Sequence, residues 1–295
     1  MKNIFRRIIH AVFSVLPSNA PAFMYTKILK VWPFRNIVNF FLFMLIPENI
    51  ILPEGKLFLN KKDAVVSGAL SLGVYERYET ELFRSALKEG MTVLDIGANI
   101  GYYTVIAMNH VGSSGKVFSF EPEPENFDFL QRNITAQKNK NAHAFFFGLA
   151  DKPSKSKLFL SSDNKGKHSL SQSGEMKESI VVSIETGDRL LQTVGINKVD
   201  LIKMDVEGAE PLALKGLDSL LSKSSPCLLF CEYHPEALTR SGFKPISFLQ
   251  NIASKGFLIN EIRDKENKIV PVTDFSEITK RFEKGFPTNL YCVKS

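Results

Sequence analysis

Apolar segments alternate with helical segments along most of the chain after residue 90, and this alternation constrains the fold more than any other feature. The apolar runs have the length of strands and few polar positions, as expected of strands covered on both faces. The helical segments between them supply the crossovers that parallel strands require. The sequence therefore predicts an α/β fold with a mostly parallel sheet. Predicted strands lie at residues 92–94, 116–120, 144–147, 200–204 and 228–231, and predicted helices at 101–110, 125–137, 211–222 and 245–254.

Two segments depart from this alternation of strands and helices. Residues 151–184 are polar and rich in serine and lysine, with a short apolar run at each end, which predicts an inserted hairpin. The tail carries two further strand candidates, 257–259 and 289–293, without a good crossover helix between them. We expect these last two strands to be antiparallel.

Composition and charge exclude several classes of protein. Hydrophobic residues make up 44% of the 295 residues and charged residues 23%, which is typical of a globular chain. Cys227, Cys231 and Cys292 lack zinc-ligand spacing, which favours core thiols in a reducing compartment. Residues 1–60 carry seven basic against two acidic side chains, so most of the net charge of +6 lies there. Because the rest of the chain is nearly neutral, a nucleic-acid partner is not expected.

The first 74 residues are predicted to form a helical appendage with a small β-element at residues 57–59 and 64–66. An apolar stretch at 37–46 is only half of the roughly 20 residues that a membrane span needs. We therefore expect a buried helix at this stretch and no transmembrane segment. The predicted location is cytoplasmic.

The appendage begins with an amphipathic pattern. Residues 4–16 place apolar side chains on one helical face and basic ones on the other, and Pro17 ends the helix. Three interpretations stay open: the apolar face docks on the following domain, residues 1–47 contact the inner face of a membrane, or the segment is a signal peptide. Of these three interpretations, docking of the apolar face on the following domain is favoured.

A bend with two glycines joins the first predicted strand to its helix, within Asp95-Ile96-Gly97-Ala98-Asn99-Ile100-Gly101. Glycine permits a tight turn and lets the backbone approach a ligand closely. In open α/β sheets, ligands bind beyond the carboxyl ends of the strands. A dinucleotide fingerprint would also need glycine at positions 99 and 102, which hold Asn99 and Tyr102. A nicotinamide-dependent oxidoreductase is therefore disfavoured.

Two carboxylates beside this bend indicate the ligand. Asp95 would repel a pyrophosphate but can pair with an ammonium group, and Glu121 ends the next strand, where it can accept hydrogen bonds from both ribose hydroxyls. A ligand with a ribose, a cationic amino-acid end and no phosphate fits S-adenosylmethionine. The sequence predicts this cofactor.

A series of short motifs extends over about residues 75–293. They are Tyr75-Glu76, Asp95 to Gly101, Phe120-Glu121-Pro122, Gly148-Leu149-Ala150-Asp151, Asp188-Arg189-Leu190, Asp200 to Glu210 and Glu232-Tyr233-His234. In content and order these motifs resemble the FkbM family of S-adenosylmethionine-dependent methyltransferases, and the best match is the block at 200–210.

The resemblance implies a Rossmann-like, seven-stranded, mostly parallel sheet with an antiparallel last strand, in a methyltransferase domain at residues 75–295. It also implies which residues hold the cofactor: Glu121 the ribose, Asp151 the adenine amino group, and Asp205 the region facing the methyl sulfonium. The full predicted cofactor-binding set is Asp95, Gly97, Ala98, Asn99, Gly101, Tyr102, Glu121, Asp151 and Asp205.

The ends of the fourth and fifth predicted strands carry the candidate catalytic residues Asp205, Glu207, Glu232 and His234. A hydroxyl acceptor must lose its proton before it attacks a methyl group. In one interpretation, His234 or a carboxylate takes that proton. In the other, Asp205 and Glu232, with Glu207 or His234, hold a divalent cation such as Mg2+. The general base is favoured, and the metal ligands are left open.

Two charged residues nearby have structural interpretations. Lys203 lies in an otherwise apolar strand, so we expect it to pair with an acidic neighbour. Glu210 opens a helix, where a capping role or an ion pair is favoured over catalysis.

The resulting functional prediction is an O-methyltransferase acting on a hydroxyl of a sugar, a glycan or a secondary metabolite. One alternative is a methyltransferase acting on protein or RNA, and another is a cofactor-binding protein without turnover. Residues 205–208 lack the Asn/Asp-Pro-Pro-aromatic turn associated with methylation of base amines. The acidic and histidine residues at the strand ends favour catalysis.

Overall fold

The computed structural model describes residues 46–63, 65–160, 168–171, 178–283 and 287–295. The amphipathic helix predicted at 4–16, and all but the last residue of the apolar stretch at 37–46, lie outside these ranges. The proposed membrane contact through residues 1–47 therefore stays a prediction. Within the described ranges, no helix has both the length and the apolar surface to cross a membrane.

The main sheet has eight strands, and its topology confirms the predicted Rossmann-like architecture. The strands are β3 Thr92–Ile96, β4 Lys116–Phe120, β5 Ala142–Phe145, β9 Leu201–Met204, β10 Cys227–Tyr233, β11 Leu258–Arg263, β12 Lys268–Pro271 and β13 Thr288–Lys294. Five strands run parallel in the order β5-β4-β3-β9-β10, and β13 then pairs antiparallel with both β10 and β11. The eighth strand, β12, folds back on β11 at the edge, which the prediction of seven strands missed.

Helices cover both faces of this sheet because its central strands are apolar on both. In β3, Leu94 and Ile96 face one buried cluster, whereas Val93 faces the other. The helices are α1 Val66–Leu72, α2 Arg77–Ala86, α3 Tyr102–His110, α4 Pro124–Thr135, α5 Gly187–Thr193, α6 Glu210–Lys215, α7 Asp218–Lys223, α8 Pro235–Arg240, α9 Pro245–Ser254 and α10 Phe275–Phe282. The three cysteines are buried and reduced, as expected of core thiols.

The segment before α2 packs against the sheet rather than standing apart from it. A hairpin of β1, Asn49–Leu52, and β2, Gly55–Phe58, turns at Pro53-Glu54. Leu57 is fully buried in the cluster that contains α3. Of the predicted strand at 64–66, residue 64 lies outside the described residues. The prediction is wrong for the rest, because Val65 caps helix α1 and Val66 begins it.

The predicted insertion at 151–184 is a hairpin, as expected. Strand β7, Ser154–Leu160, pairs antiparallel with β8, Glu178–Glu185, and the short β6, Gly148–Leu149, joins the other edge of β8. Ser169 returns to the hairpin through two backbone hydrogen bonds with Phe159. This contact brings residues 168–171 over the carboxyl end of the main sheet.

Candidate functional site

The bend after β3 depends on glycine at its first position. Gly97 has a φ of +81°, and a Cβ there would lie 1.9 Å from the carbonyl oxygen of Asp205. The amides of Gly97 and Ala98 both donate to the carbonyl of Phe120 at 3.0 Å. The bend is therefore held tightly between the ends of two strands, β4 and β9, that flank β3.

Glu121 closes this bend from the side of β4. Its carboxylate accepts hydrogen bonds from the backbone amides of Asn99, at 2.8 Å, and Glu123, at 2.9 Å. Burial raises the pKa of Glu121, and the two backbone hydrogen bonds lower it. Burial is the larger effect, so the pKa is about 8. The carboxyl group that the sequence assigns to the ribose thus lies beside the bend.

A cleft runs along the bend and across the carboxyl ends of β3, β4 and β9. One wall comes from the bend and from the segments after β4 and β9, and the other comes from the inserted hairpin. Of the predicted site residues, Gly97, Asn99, Glu121, Asp205 and Glu207 line it. The remaining lining residues include Phe120, Pro122, Asn126, Phe147, Gly148, Leu149, Leu158, His168 and Leu170.

Five predicted cofactor residues do not line this cleft: Asp95, Ala98, Gly101, Tyr102 and Asp151. The carboxylate of Asp95 is buried beneath the bend, where it accepts a hydrogen bond from the Thr104 hydroxyl at 2.6 Å. Tyr102 turns toward α2, with its hydroxyl 3.3 Å from that of Thr80. Asp151 pairs with the Lys215 ammonium at 3.0 Å. Direct roles for these five residues in cofactor binding stay predictions.

Glu207, Glu232 and His234 converge at the edge of the cleft. Each residue has one side-chain atom that could bind a metal ion, a carboxylate oxygen or an imidazole nitrogen, and these three atoms lie within 4.8 Å of one another. His234 Nδ1 is 4.0 Å from Glu207 Oε2. Glu232 is in β10 and His234 immediately precedes α8, whereas Glu207 follows β9, so adjacent parallel strands bring the three together. We call these three residues the strand-end cluster.

The backbone around Glu207 is fixed from two sides. Glu207 itself has a φ of +52°, and the amide of Gly208 donates to the Glu210 carboxylate at 3.0 Å. This contact confirms the structural role predicted for Glu210. From the inserted hairpin, the hydroxyl of buried Ser169 donates to the Glu207 carbonyl at 2.8 Å.

Lys203 has the acidic partner that its burial requires. Its ammonium is 3.3 Å from Glu79 Oε1 and 4.0 Å from Asp205 Oδ2. Burial opposes its charge, but the carboxylates of Glu79, Glu76 and Asp205 raise the pKa of Lys203 well above its ordinary value. Lys203 thus joins helix α2 to the residue at the end of β9 that lines the cleft.

Several residues of the cleft carry no sequence signal. Asn126 and Phe147 reach it because their segments follow strands that end at the same edge of the sheet. His168 and Leu170 reach it because the hairpin folds back, and Ser169 holds that fold. A serine-rich insertion gives no pattern that distinguishes these positions from their neighbours.

Comparisons with known proteins agree with this architecture. Residues 95–285 match the Methyltransferase FkbM domain. Hexuronic acid methyltransferase AglP of Haloferax volcanii is 29% identical over 149 residues, which cover 49% of this chain and 59% of the relative. Methyltransferase 1 of Beauveria bassiana is 28% identical over 145 residues, 43% of this chain and 58% of the relative. The match therefore spans about three-fifths of the length of each of these two curated relatives.

Among solved structures, the methyltransferase FkbM from Methylobacillus flagellatus superposes with a TM-score of 0.42 at 14% sequence identity. The superposition covers 88% of this chain and 60% of that one.

Proposed function

Because this chain belongs to the FkbM family of methyltransferases, we propose that it moves the methyl group of S-adenosylmethionine to a hydroxyl of a sugar, a glycan or a secondary metabolite. The observation that carries the choice of a hydroxyl is the strand-end cluster. It places two carboxylates and an imidazole together at the edge of the cleft. A hydroxyl needs such groups to lose its proton.

The cofactor would occupy the cleft with its amino-acid end at the Gly97 bend and its ribose at Glu121. Asp205 lies on the same wall, and it would face the sulfonium. The apolar side chains of Phe120 and Leu149 offer a surface for a flat aromatic ring. This orientation would direct the reactive methyl group toward the strand-end cluster.

Methyl transfer from a sulfonium is a direct displacement, so the acceptor oxygen, the methyl carbon and the sulfur must be aligned. The acceptor proton would pass to His234, or to Glu207 or Glu232, as the oxygen attacks the methyl carbon. Nearby carboxylates stabilise the imidazolium that forms if His234 accepts that proton. The alternative route uses a divalent cation such as Mg2+ to lower the pKa of the acceptor hydroxyl.

A carbohydrate acceptor has additional support from one relative. The Haloferax protein is named for methylation of a hexuronic acid, and its similarity extends over about half of this chain. We therefore place uronic acids and their glycosides first among the acceptors to be tried.

The test measures transfer of a labelled methyl group from S-adenosylmethionine to a panel of acceptors. The panel should contain uronic acids, neutral sugars, phenols, amines, a peptide and an RNA. We expect label in an ether at a hydroxyl, and a loss of at least about 100-fold in His234→Ala and Glu232→Gln. Asp128→Asn, on the exposed surface of α4, is the control that keeps full activity. Label in amines, peptide or RNA alone would overturn the proposal, as would full activity of both cluster variants.

The pKa of Glu121 gives a pH dependence for cofactor binding. Its buried carboxyl has a pKa of about 8, and ribose hydroxyls bind its ionised form, so binding releases a proton below this pH. We expect the affinity for S-adenosylhomocysteine to rise between pH 6 and 8, by up to about tenfold per pH unit. Calorimetry in buffers of different ionisation enthalpy measures both the affinity and the released proton.

Glu121→Gln separates this titration from other effects of pH. The variant should bind S-adenosylhomocysteine more weakly at pH 8 and lose the rise in affinity, whereas Asp128→Asn should keep both. An unchanged pH slope in Glu121→Gln would show that Glu121 is not the titrating group.

A further inference from the structure

We propose that the strand-end cluster is a divalent-cation site that selects a metal with affinity for nitrogen, such as Co2+ or Zn2+, over Mg2+. The proposal deepens the divalent-cation route of the proposed function, on which it rests for the role of the ion but not for its binding. Glu207, Glu232 and His234 are the ligands that this chain would supply. Within the described residues they are the one group of acidic, histidine or cysteine side chains with such convergence.

Charge and burial favour a cation at this position. The exposed fractions of Glu207, Glu232 and His234 are 7%, 7% and 9%. Two ionised carboxylates held together out of water repel each other, and each also loses hydration. A divalent ion between these groups would offset that repulsion and supply bonds to the oxygen and nitrogen atoms that burial removes from water.

The spacing of the ligand atoms fits one ion after a small adjustment. Nitrogen and oxygen ligands lie about 2.0–2.2 Å from such a metal, so two of them can be at most about 4.4 Å apart. The three ligand atoms lie within 4.8 Å of one another, so movements of at most a few tenths of an ångström bring every pair inside that limit. Meanwhile Ser169 and Glu210 hold the backbone that carries Glu207.

The imidazole decides which metals fit. Mg2+ takes oxygen ligands almost exclusively, in octahedral geometry, whereas imidazole suits Zn2+ and other first-row transition metals. The sequence also makes Asp205 a possible oxygen ligand, but its carboxylate is not part of the convergent group. Its carboxylate lies toward Lys203 instead, at 4.0 Å. A set of two carboxylates and one imidazole therefore favours the transition metals.

The position of the site gives the ion a role. Glu207 lines the cleft, so a metal beside it is within reach of an acceptor that enters from that side. A bound divalent metal lowers the pKa of a hydroxyl that coordinates it. The protein supplies three ligands, which leaves positions for the acceptor oxygen and water.

The proposal is tested by metal binding to the full chain, without any acceptor. Protein freed of metal by chelator and dialysis is titrated with CoCl2, MnCl2, ZnCl2 and MgCl2 in calorimetry, and the visible spectrum of the Co2+ form is recorded. We expect one Co2+ per chain at micromolar concentration, affinity for Mg2+ at least about tenfold weaker, and a Co2+ spectrum typical of nitrogen and oxygen ligands. Binding of Co2+ only at millimolar concentration, or equal affinity for Mg2+, would overturn the proposal.

Variants identify the ligands. Glu207→Gln, Glu232→Gln and His234→Gln should each weaken Co2+ binding by at least about tenfold, and His234→Gln should also reduce the preference over Mg2+. His143→Gln removes an exposed histidine on β5 and should leave the titration unchanged. Loss of the Co2+ spectrum in His168→Gln, together with an unchanged spectrum in His234→Gln, would contradict the assignment.

Binding of S-adenosylhomocysteine, measured on the same samples, shows that each variant is folded and separates this proposal from the proposed function. Metal binding that is lost in the cluster variants while S-adenosylhomocysteine still binds supports the ion site. If S-adenosylhomocysteine fails to bind to the wild-type protein, the proposed function fails, whereas the metal titration still decides the ion site.

Discussion

Replacing Lys203 by methionine is expected to lower the free energy of unfolding by about 3–5 kcal/mol. The ammonium of Lys203 and the carboxylate of Glu79 are 2% and 1% exposed, and they lie 3.3 Å apart. Without the lysine, the buried carboxyl of Glu79 would lose its cation and would still lie near the half-buried carboxyls of Glu76 and Asp205. Removing one partner of a buried pair costs much more than the pair itself contributes. Chemical denaturation of the full chain measures the change.

Two further variants separate the buried pair from general effects of removing a lysine. Lys215→Met removes an ammonium that is 65% exposed from its pair with Asp151, so the expected loss is below about 1 kcal/mol. The double variant Lys203→Met/Glu79→Gln should be more stable than the sum of the two single changes predicts, by about 1–3 kcal/mol. A loss below about 1 kcal/mol in Lys203→Met, or strict additivity, would contradict the coupling.

The same pair shows how far sequence reasoning reaches. A lysine inside the apolar strand β9 must have an acidic partner, and the sequence predicted one. It did not identify Glu79, because that residue is on a helix that precedes the sheet and meets β9 only after folding. Burial sets the chemical type of a partner, whereas tertiary packing sets its identity.

Part of the fold was likewise predictable from the sequence, and part was not. The central strands were predictable because strands covered on both faces must be continuously apolar. Edge strand β12 is half-exposed to exposed, so its sequence Lys-Ile-Val-Pro lacks that signature, and the strand was missed. The antiparallel arrangement of β11 and β13 was predicted correctly, although helix α10 lies in the polar stretch between them.

The candidate site was predictable where a motif lies at a strand end. Glu207, Glu232 and His234 were chosen by position, and adjacency of parallel strands β9 and β10 brings them together. Ser169, which contacts the backbone of Glu207, was not chosen, because the fold-back of a hairpin over the sheet leaves no periodic signal.

Replacing Gly97 by alanine is expected to reduce the affinity for S-adenosylhomocysteine by at least about 100-fold and to lower the melting temperature. The added Cβ would lie 1.9 Å from the carbonyl oxygen of Asp205, and this neighbour is backbone that cannot rotate away. Relief of the contact must separate the bend from the end of β9. A misplacement of about 1 Å can cost on the order of 100-fold in catalysis, and we expect a loss of similar size in cofactor affinity because the bend is a cofactor-binding wall. Calorimetry and thermal unfolding on the same sample give the two quantities.

Two other glycines separate collision from backbone strain. Gly195 has a φ of +74° and nothing within 4 Å of the position that a Cβ would take, so Gly195→Ala measures the left-handed strain alone, about 1–2 kcal/mol, with unchanged affinity. Gly101 has a φ of +87°, but its Cβ would meet the movable end of the Leu130 side chain at 2.7 Å. The losses of stability and of affinity for S-adenosylhomocysteine should therefore be smallest in Gly195→Ala, larger in Gly101→Ala and largest in Gly97→Ala. If Gly97→Ala were no worse than Gly101→Ala, contact between the bend and β9 would not be what shapes the cleft.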